Sequence, residues 1–544
     1  MWARAWRHGA PVLTGRHGLV VEGPHGGSVQ LASVWCHDRR ERYRRSSGRE
    51  RAVRRLGERS LPMTASRAIT YTGQMVRPSL KATLIILAAV ALAGSSGFCI
   101  TIAEQEKLTA TDSGPKVFAH YFPPYPISLD NAPPNRDYYA SEYLRIDGEG
   151  GNYASVGGLL RDRPLGRAPL ADPDFRLADM RTEVRQAKAA GIDGFTLNIM
   201  SLYGSNWRAC VNLMKAADDI GGFEIVPNLD VSAEMADKAP DAIATRLAQL
   251  YAHPSAAQVD GGYMLSSFAA EARSPEWWTQ LETALARHGY PTKLIAVFLN
   301  PSDANFSAFA PIVYGYGYWG ARTPISVGHQ RNLAQKAHEM GRKWMEPVAF
   351  QDARPRARLY AEAGNSELLR RSWSRAISQH ADYVQMVTWN DYSESTSFAP
   401  SMAHGRTLLD ANRLYLEWFK SGAKPAITTD HLFLTHRRHP YAARTTSGIM
   451  VMKPTLDGSA MAARDTVEAL VYLTAPAQVS ITVGGVTREY SRPAGISAVT
   501  VPLRAGSVSA KVIRGSRTVD NAISRKRVTV TPYVQDMQYW AAGN

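Results

Sequence analysis

Cysteine is nearly absent from this sequence. Three of its 544 residues are cysteine, Cys36, Cys99 and Cys210. Their spacing makes neither a disulfide framework nor a zinc site. Stability must then come from core burial, which 45% hydrophobic residues over this length allow. A long apolar run is also lacking. The prominent one, ATLIILAAVALA at 82–93, is about a dozen residues long. A membrane span needs ~20. No glycine-rich phosphate loop follows the first strand-like run, which argues against a doubly wound nucleotide-binding sheet. A nucleophile elbow and a His/Cys metal set are missing too, so no cofactor and no metal is called for.

Acidic charge is scarce in one region only. Residues 1–74 hold 14 Arg against 5 acids, and with Arg77 and Lys81 they account for eleven of the fifteen surplus positive charges. The remainder is close to neutral, which argues against nucleic acid as a partner. Arg77 and Lys81, the apolar run and the following GSSG form the n-region, h-region and small-residue pattern of a secretory signal, with Ala91 and Ala93 at the −3 and −1 positions. An uncleaved anchor is the competing reading. Residues 1–74 read as a basic extension, disordered or untranslated, 75–93 as the signal and 94–115 as a linker. The expected site of action is outside the cell or in the periplasm.

Eight β-rich runs then alternate with helical stretches: VFAHYF (117–122), GFTLNI (194–199), FEIVPNLD (223–230), GYMLSSF (262–268), KLIAVFL (293–299), IVYGYGY (312–318), KWMEPVAF (343–350) and YVQMVTWN (383–390). The clearest helix is 175–191, with Leu177, Met180, Val184 and Ala187 on one face and Gly191 as its stop. The helix after the fifth run is weak, with 303–309 offering a turn or two. This alternation predicts an α/β fold, a (β/α)₈ TIM-type barrel over 116–425. From 426 to 544 short alternating runs (GIMVMK, VEALVYLT, VSITVG, AVTVPL, SAKVIR, RVTVTP) predict an antiparallel β-sandwich. The loop 123–172 is long and tyrosine-rich, a natural wall for a cleft.

In a barrel, chemistry sits at the C-terminal ends of the strands. Those ends carry His120 and Tyr121, Asn198, Asp230, Ser267 with Glu271 beyond it, Asn300, Tyr314, Tyr316 and Trp319, Gln351 and Asp352, then Trp389, Asn390, Asp391 and Glu394. Carboxylates, amides and aromatics suit a sugar. Rings stack on pyranose C–H faces, and polar groups bond the hydroxyls. Glycoside hydrolysis needs one carboxyl to protonate the leaving oxygen and a second to act at the anomeric carbon. Asp391 and Glu394, three residues apart at the last strand end, are the candidate pair. His120, Tyr121, Asn198, Asp230, Glu271, Tyr316, Trp319, Trp389 and Asn390 are the candidate substrate contacts. Each has a plainer reading. Asp391 and Glu394 suit solvated loop charges or helix caps, His120 a packed histidine, Asp230 a loop cap and Glu271 a surface charge. Asp193 enters the second strand at the barrel's bottom, where a stabilising role is expected. Cys210 reads as a small buried apolar residue.

The segments KVFAHYF, AGIDGFTLNI, NLDVS, LSSFAAE and above all VTWNDYSES resemble glycoside hydrolase family 71, the α-1,3-glucanases or mutanases. The resemblance runs over about 116–425, more loosely in the β-rich tail. It implies that the acids of the D-x-x-E element, here Asp391 and Glu394, are catalytic, and that Asp193 matches an aspartate considered important in the family. It further implies a polysaccharide partner, an α-glucan cleaved at α-1,3 bonds with inversion. A monomer is expected. This sequence departs from the family with Ser393 where glycine is usual, with PVAFQDARP at 347–355, and with PPYP and a long insertion after the first strand. A hydrolase of another polysaccharide, and a carbohydrate-binding protein on a decayed barrel, are the alternatives.

Overall fold

A computed structural model describes residues 114–450, 452–454 and 461–543. The expected extension, signal and linker lie outside the described residues, apart from 114 and 115. Among the described residues no helix is long and apolar enough to cross a membrane.

Eight parallel strands form a closed barrel. They are β1 (Lys116–Tyr121), β2 (Gly194–Ile199), β3 (Glu224–Asp230), β4 (Gly262–Phe268), β5 (Thr292–Phe298), β6 (Gly315–Tyr318), β7 (Lys343–Val348) and β8 (Tyr383–Met386). Each pairs with its sequence neighbours, Lys116 opposite Tyr383 closes β8 onto β1, and Asn228 opposite Ser266 joins β3 to β4. Among the described residues nine α-helices surround them: α1 (Phe175–Ala189), α2 (Gly204–Ile220), α3 (Pro240–Tyr251), α4 (Pro275–Arg287), α5 (Asp303–Phe309), α6 (Pro324–His329), α7 (Leu333–Glu339), α8 (Glu367–Ser378) and, after β8, α9 (Thr407–Ser421). The weak fifth connection is a seven-residue helix, as its sequence suggested. Helix α1 buries the anticipated Leu177, Met180, Val184 and Ala187, and Gly191 follows it at φ +92, where a side chain would be strained.

The period of two along each strand builds two cores. Val117, Ala119 and Tyr121 face the helix layer with Phe195, Leu197 and Ile199. Phe118, Val226, Met264, Ile295, Val297, Met345 and Tyr383 fill the barrel interior. Both faces of these strands are apolar because both are covered, as in other parallel sheets. Gly194 sits where a Cβ would meet the Glu224 carbonyl at 2.1 Å, so the β2–β3 pairing at the barrel's base requires glycine.

The tail is a sandwich of two four-stranded antiparallel sheets. The first orders β13 (Gly495–Pro502), β10 (Thr466–Leu473), β9 (His431–His436) and β16 (Trp540–Ala542). The second orders β12 (Val486–Arg492), β11 (Ala477–Val483), β14 (Val508–Arg514) and β15 (Arg517–Ile523). Two expected strands are not formed as read. Val528 of RVTVTP makes an isolated bridge to Gly506, and among the described residues of GIMVMK only Lys453, with Pro454, pairs against Leu359–Tyr360. Alternation decides what the first sheet covers. Leu432, Leu434, Val467, Ala469 and Val471 face the second sheet, whereas Phe433, Leu470 and Tyr472 join the barrel's helix-layer core. Tyr472 donates to the Ala411 carbonyl of α9 at 2.7 Å. The sheet thus seals the barrel's flank.

Candidate active site

The chain leaves β8 into the loop 387–398, which is stitched to itself. Thr388 N donates to the Thr396 carbonyl, the two threonine hydroxyls lie 2.9 Å apart, and Asp391 N donates to Thr388 Oγ1 at 2.8 Å. This closure holds Asp391 with its carboxylate turned back on its own turn. Its Oδ1 accepts from Ser393 Oγ at 2.6 Å, from Ser393 N at 2.9 Å and from Glu394 N at 3.3 Å. Ser393, the departure from the glycine usual in the family, thus adds a hydroxyl donor to this carboxylate.

Glu394 is built from the other side. Its carbonyl accepts from Ala353 N at 2.8 Å, and Ser395 Oγ donates to the Ala353 carbonyl at 3.0 Å. These bonds dock the hairpin 352–361 along the loop 387–398. The hairpin delivers Arg354, whose Nη1 lies 2.8 Å from Glu394 Oε1. Arg354 Nε and Nη2 hold Asp352 at 2.7 and 2.6 Å, and the buried Arg322 reaches Asp352 from the β6 loop at 3.3 Å.

Three carboxylates, Asp352, Asp391 and Glu394, therefore meet two guanidiniums in a buried cluster. Burying the fifth, uncompensated charge is costly, so the cluster favours keeping one proton. Asp352 contacts both guanidiniums and Asp391 receives three donors. Glu394 contacts one cation, Arg354, and shares it with Asp352. Burial pushes Glu394 up to about 8; Arg354 opposes that, and the Asp391 and Asp352 charges add to it. Burial also raises Asp391, against the Ser393 hydroxyl and Arg354.

Beside this cluster the barrel mouth carries several expected contacts. His120 is buried, lies 3.2 Å from Thr196 Oγ1, and is lowered by burial to about 3, so it is neutral. Trp319 packs edge-on against His120 and against Phe268, each at 4.8 Å between ring centres. Asp230 accepts from Ser232 N and Oγ and faces the Asn198 amide; burial raises it. Asn198 Oδ1 has no hydrogen-bond partner among the described residues. Glu271 Oε1 accepts from Leu299 N and Asn300 N, which fixes the loop after β5, and burial raises this carboxyl.

Four expected contacts are packed instead. Tyr121 is fully buried on the helix side and donates to Glu183 Oε2 at 2.9 Å. Trp389 is equally buried and donates to Glu183 Oε1 at 3.2 Å. Tyr316 stacks on Phe306 and donates to its carbonyl at 2.7 Å. Strand alternation turns Tyr121 and Tyr316 outward, and Trp389 is packed the same way from the loop beyond β8. Asn390 clamps backbone: its Oδ1 accepts from Phe122 N, and its Nδ2 donates to the Phe122 and Tyr125 carbonyls. The tyrosines expected to wall the cleft form a small core of their own, with Tyr125, Tyr139 and Tyr143 buried against Phe122 and Tyr392. A buried bidentate Arg163–Asp137 pair ties that loop together.

Asp193 lies at the barrel's base, accepting from Val117 N at 2.8 Å and from Lys420 Nζ at 2.5 Å. Arg354, Arg322 and Glu183 carried no sequence signal as site residues. An arginine in a loop or a glutamate on a helix reads as a surface charge until its neighbours are known. Among the described residues no group of three or more His, Cys, Asp or Glu could hold a metal ion.

Comparison with known proteins fits this geometry. The pattern of glycosyl hydrolase family 71 matches residues 171–542, through barrel and sandwich. A glucan endo-1,3-alpha-glucosidase of Schizosaccharomyces pombe is 24% identical over 361 residues, covering 60% of this chain and 82% of that protein. A mutanase of Penicillium rubens is 24% identical over 376 residues, covering 64% and 80%. The solved GH99 endo-alpha-mannosidase of Bacteroides thetaiotaomicron is similar at a TM-score of 0.43 and 12% identity, covering 57% of this chain and 98% of that one. A barrel with a sandwich on its flank, an acid pair at the mouth of its eighth strand and a family match over most of its length make this chain a member of glycosyl hydrolase family 71.

Proposed function

We propose that this enzyme hydrolyses α-1,3-glucosidic bonds of an extracellular α-glucan, with Glu394 as general acid and Asp391 as general base. The named activities of the relatives supply the linkage. The observation that carries the roles is the charge imbalance around Arg354. Glu394, raised to about 8, enters the reaction protonated at neutral pH. It gives that proton to the glycosidic oxygen as the C1–O bond breaks, and Arg354 faces the carboxylate left behind. Asp391, fixed by three donors, takes a proton from the water that attacks C1 on the opposite face. Inversion follows, and the first product is the β-anomer. His120 and Trp319 line the sugar's approach, with Asp230 and Asn198 placed for its hydroxyls. An insoluble substrate outside the cell agrees with the secretory segment expected at 75–93. It also agrees with a third relative, an ascus wall endo-1,3-alpha-glucanase of S. pombe, 24% identical over 42% of this chain and 55% of that protein.

The test is incubation with insoluble α-1,3-glucan beside a panel of other glycans, with NMR of the earliest product. Release from another glycan alone would replace the substrate, early α-product would replace inversion, and binding without cleavage would point to a carbohydrate-binding protein. The roles separate on α-glucosyl fluoride, whose leaving group needs no proton. Glu394→Gln should keep most of its turnover there and Asp391→Asn should not.

A further inference from the structure

Large apolar side chains exposed on the barrel are not scattered. Among the described residues of 116–425 they are Leu144, Tyr203, Leu299, Ile325 and Met402. All five lie in the connections that leave β1, β2, β5, β6 and β8 at their C-terminal ends. Ile325 is on the short α6 that follows β6, and the other four are in loops. Scattered exposed apolar residues need no explanation, but confinement to the face that holds the acids does.

Tyr203 is the only aromatic of the five, and it is 53% exposed. It precedes α2 in a four-residue connection that is firmly held. Arg246 Nε and Nη2 donate to the Leu202 carbonyl at 2.9 and 2.6 Å. The Tyr203 hydroxyl donates to Glu234, and Lys238 Nζ donates to that hydroxyl at 3.0 Å. Lys238 Nζ also stands 5.1 Å from the ring centre. In the same connection, Met200 packs into the aromatic cluster of Tyr392, the neighbour of Asp391. An exposed ring whose hydroxyl is committed on both sides has no solvent role to fill, and its orientation is fixed before any ligand arrives. A flat ring held this way loses little entropy on binding.

We infer that Tyr203 is a stacking platform for a pyranose ring of the glucan chain, in a subsite on the β2–β3 side of the cleft, away from the bond being cleaved. Glu234 and Lys238 stand beside the ring to bond that sugar's hydroxyls. The inference rests on the proposed glucanase reading and deepens it.

The test measures binding to insoluble α-1,3-glucan by depletion from solution, and KM against kcat on the soluble oligosaccharides of that glucan. Tyr203→Ala should weaken binding about tenfold and raise KM more than it lowers kcat. Tyr203→Trp should stay within about threefold of the parent, and Tyr203→Phe, which keeps the ring and loses its anchor, should fall between. In the unaltered protein the oligosaccharides should shield Tyr203 from nitration, a readout that needs no variant to fold. Binding by Tyr203→Ala within twofold of the parent, a Tyr203→Phe loss as large as that of Tyr203→Ala, or unshielded nitration would each overturn the inference. If the parent cleaves α-1,3-glucan and Tyr203→Ala binds it normally, the glucanase reading stands and this one falls. If the parent neither binds nor cleaves that glucan, both fall.

Discussion

Arg354 Nη1 lies 2.8 Å from Glu394 Oε1 while the rest of its guanidinium is committed to Asp352. The arginine thus meets the acid through one nitrogen and is held in place through the other two. It opposes the rise that burial imposes on Glu394. In its proposed role Glu394 must be protonated to act, so activity should be lost as pH rises through its value, about 8 in the free enzyme. In Arg354→Met the opposing charge is gone and the alkaline limb of kcat/KM should move to higher pH. The developing carboxylate also loses its partner, so the plateau should drop by about 10- to 100-fold. Arg354→Lys should recover part of the rate but not the hold on Asp352, because an ammonium lacks the planar fork. A limb that stays put, or moves down, would remove Arg354 from control of the acid.

Behind the loop 387–398, Glu183 ties α1 to β1 and to Trp389 through Tyr121 and the indole N–H. Burial raises this carboxyl to about 8, against an ordinary glutamate value of 4.5. A carboxyl raised in the folded state stabilises fully below its unfolded value, and that contribution is lost as pH climbs through the folded one. Unfolding free energy should therefore fall between pH 5 and 9, by at most about 5 kcal/mol from this group. Glu183→Gln can still accept from the indole and donate to the Tyr121 oxygen, so its profile should be flatter. Urea titrations at pH 5, 7 and 9 compare the two, and parallel curves would sink the assignment.

How much of this could be read from the chain depends on what each side chain answers to. The eight strands were legible because both faces of each are covered, which leaves apolar runs such as GFTLNI bounded by loops. Asp391 and Glu394 stand out as candidates because position at a strand end narrows the chemistry. Trp389 is packed because the strand stops at Met386 and the residue falls in the loop beyond. Tyr121 is packed too, and a strand end does not announce which of two adjacent residues points inward. His120 does, and Tyr121 therefore cannot. Arg354 was silent because its role depends on the hairpin 352–361, whose turn brings it against residue 394. In the sandwich, RVTVTP alternates like a strand yet makes one bridge, while the largely exposed VTREYSR of β12 is a strand with little apolar pattern to show it.

The loop 123–172 depends on one buried pair. Arg163 donates to both Asp137 oxygens, at 2.7 and 2.5 Å, and its guanidinium also lies 4.7 Å from the centre of the Tyr139 ring. Removing one member leaves a buried charge without its partner, which costs ~3–5 kcal/mol. Asp137→Ala should accordingly open the loop while the barrel persists. Hydrogen exchange should rise across 123–172, and a protease should cut there first. Activity should fall as well, since Asn390, next to Asp391, is bonded to Phe122 and Tyr125 at the loop's start. Protection equal to that of the parent would show that the tyrosine core alone holds the segment.

Asp193 gives the sharpest contrast between resemblance and position. It receives Val117 N at the start of β1 and Lys420 Nζ from the end of α9, so it closes the barrel's base where first and last elements meet. Its carboxylate is about a third exposed, which limits the ion pair to a modest share of stability. The buried backbone N–H is the costlier loss. Asp193→Ala should lower unfolding free energy by about 1–2 kcal/mol, and Lys420→Ala by less. With the acids at the opposite end of the strands, kcat at saturating substrate should remain within about threefold of the parent, a change of under 1 kcal/mol in barrier. A fall of a thousandfold in a stably folded Asp193→Ala would instead require a path from the barrel's base to Asp391, and none of the hydrogen bonds that hold Asp193 leads there.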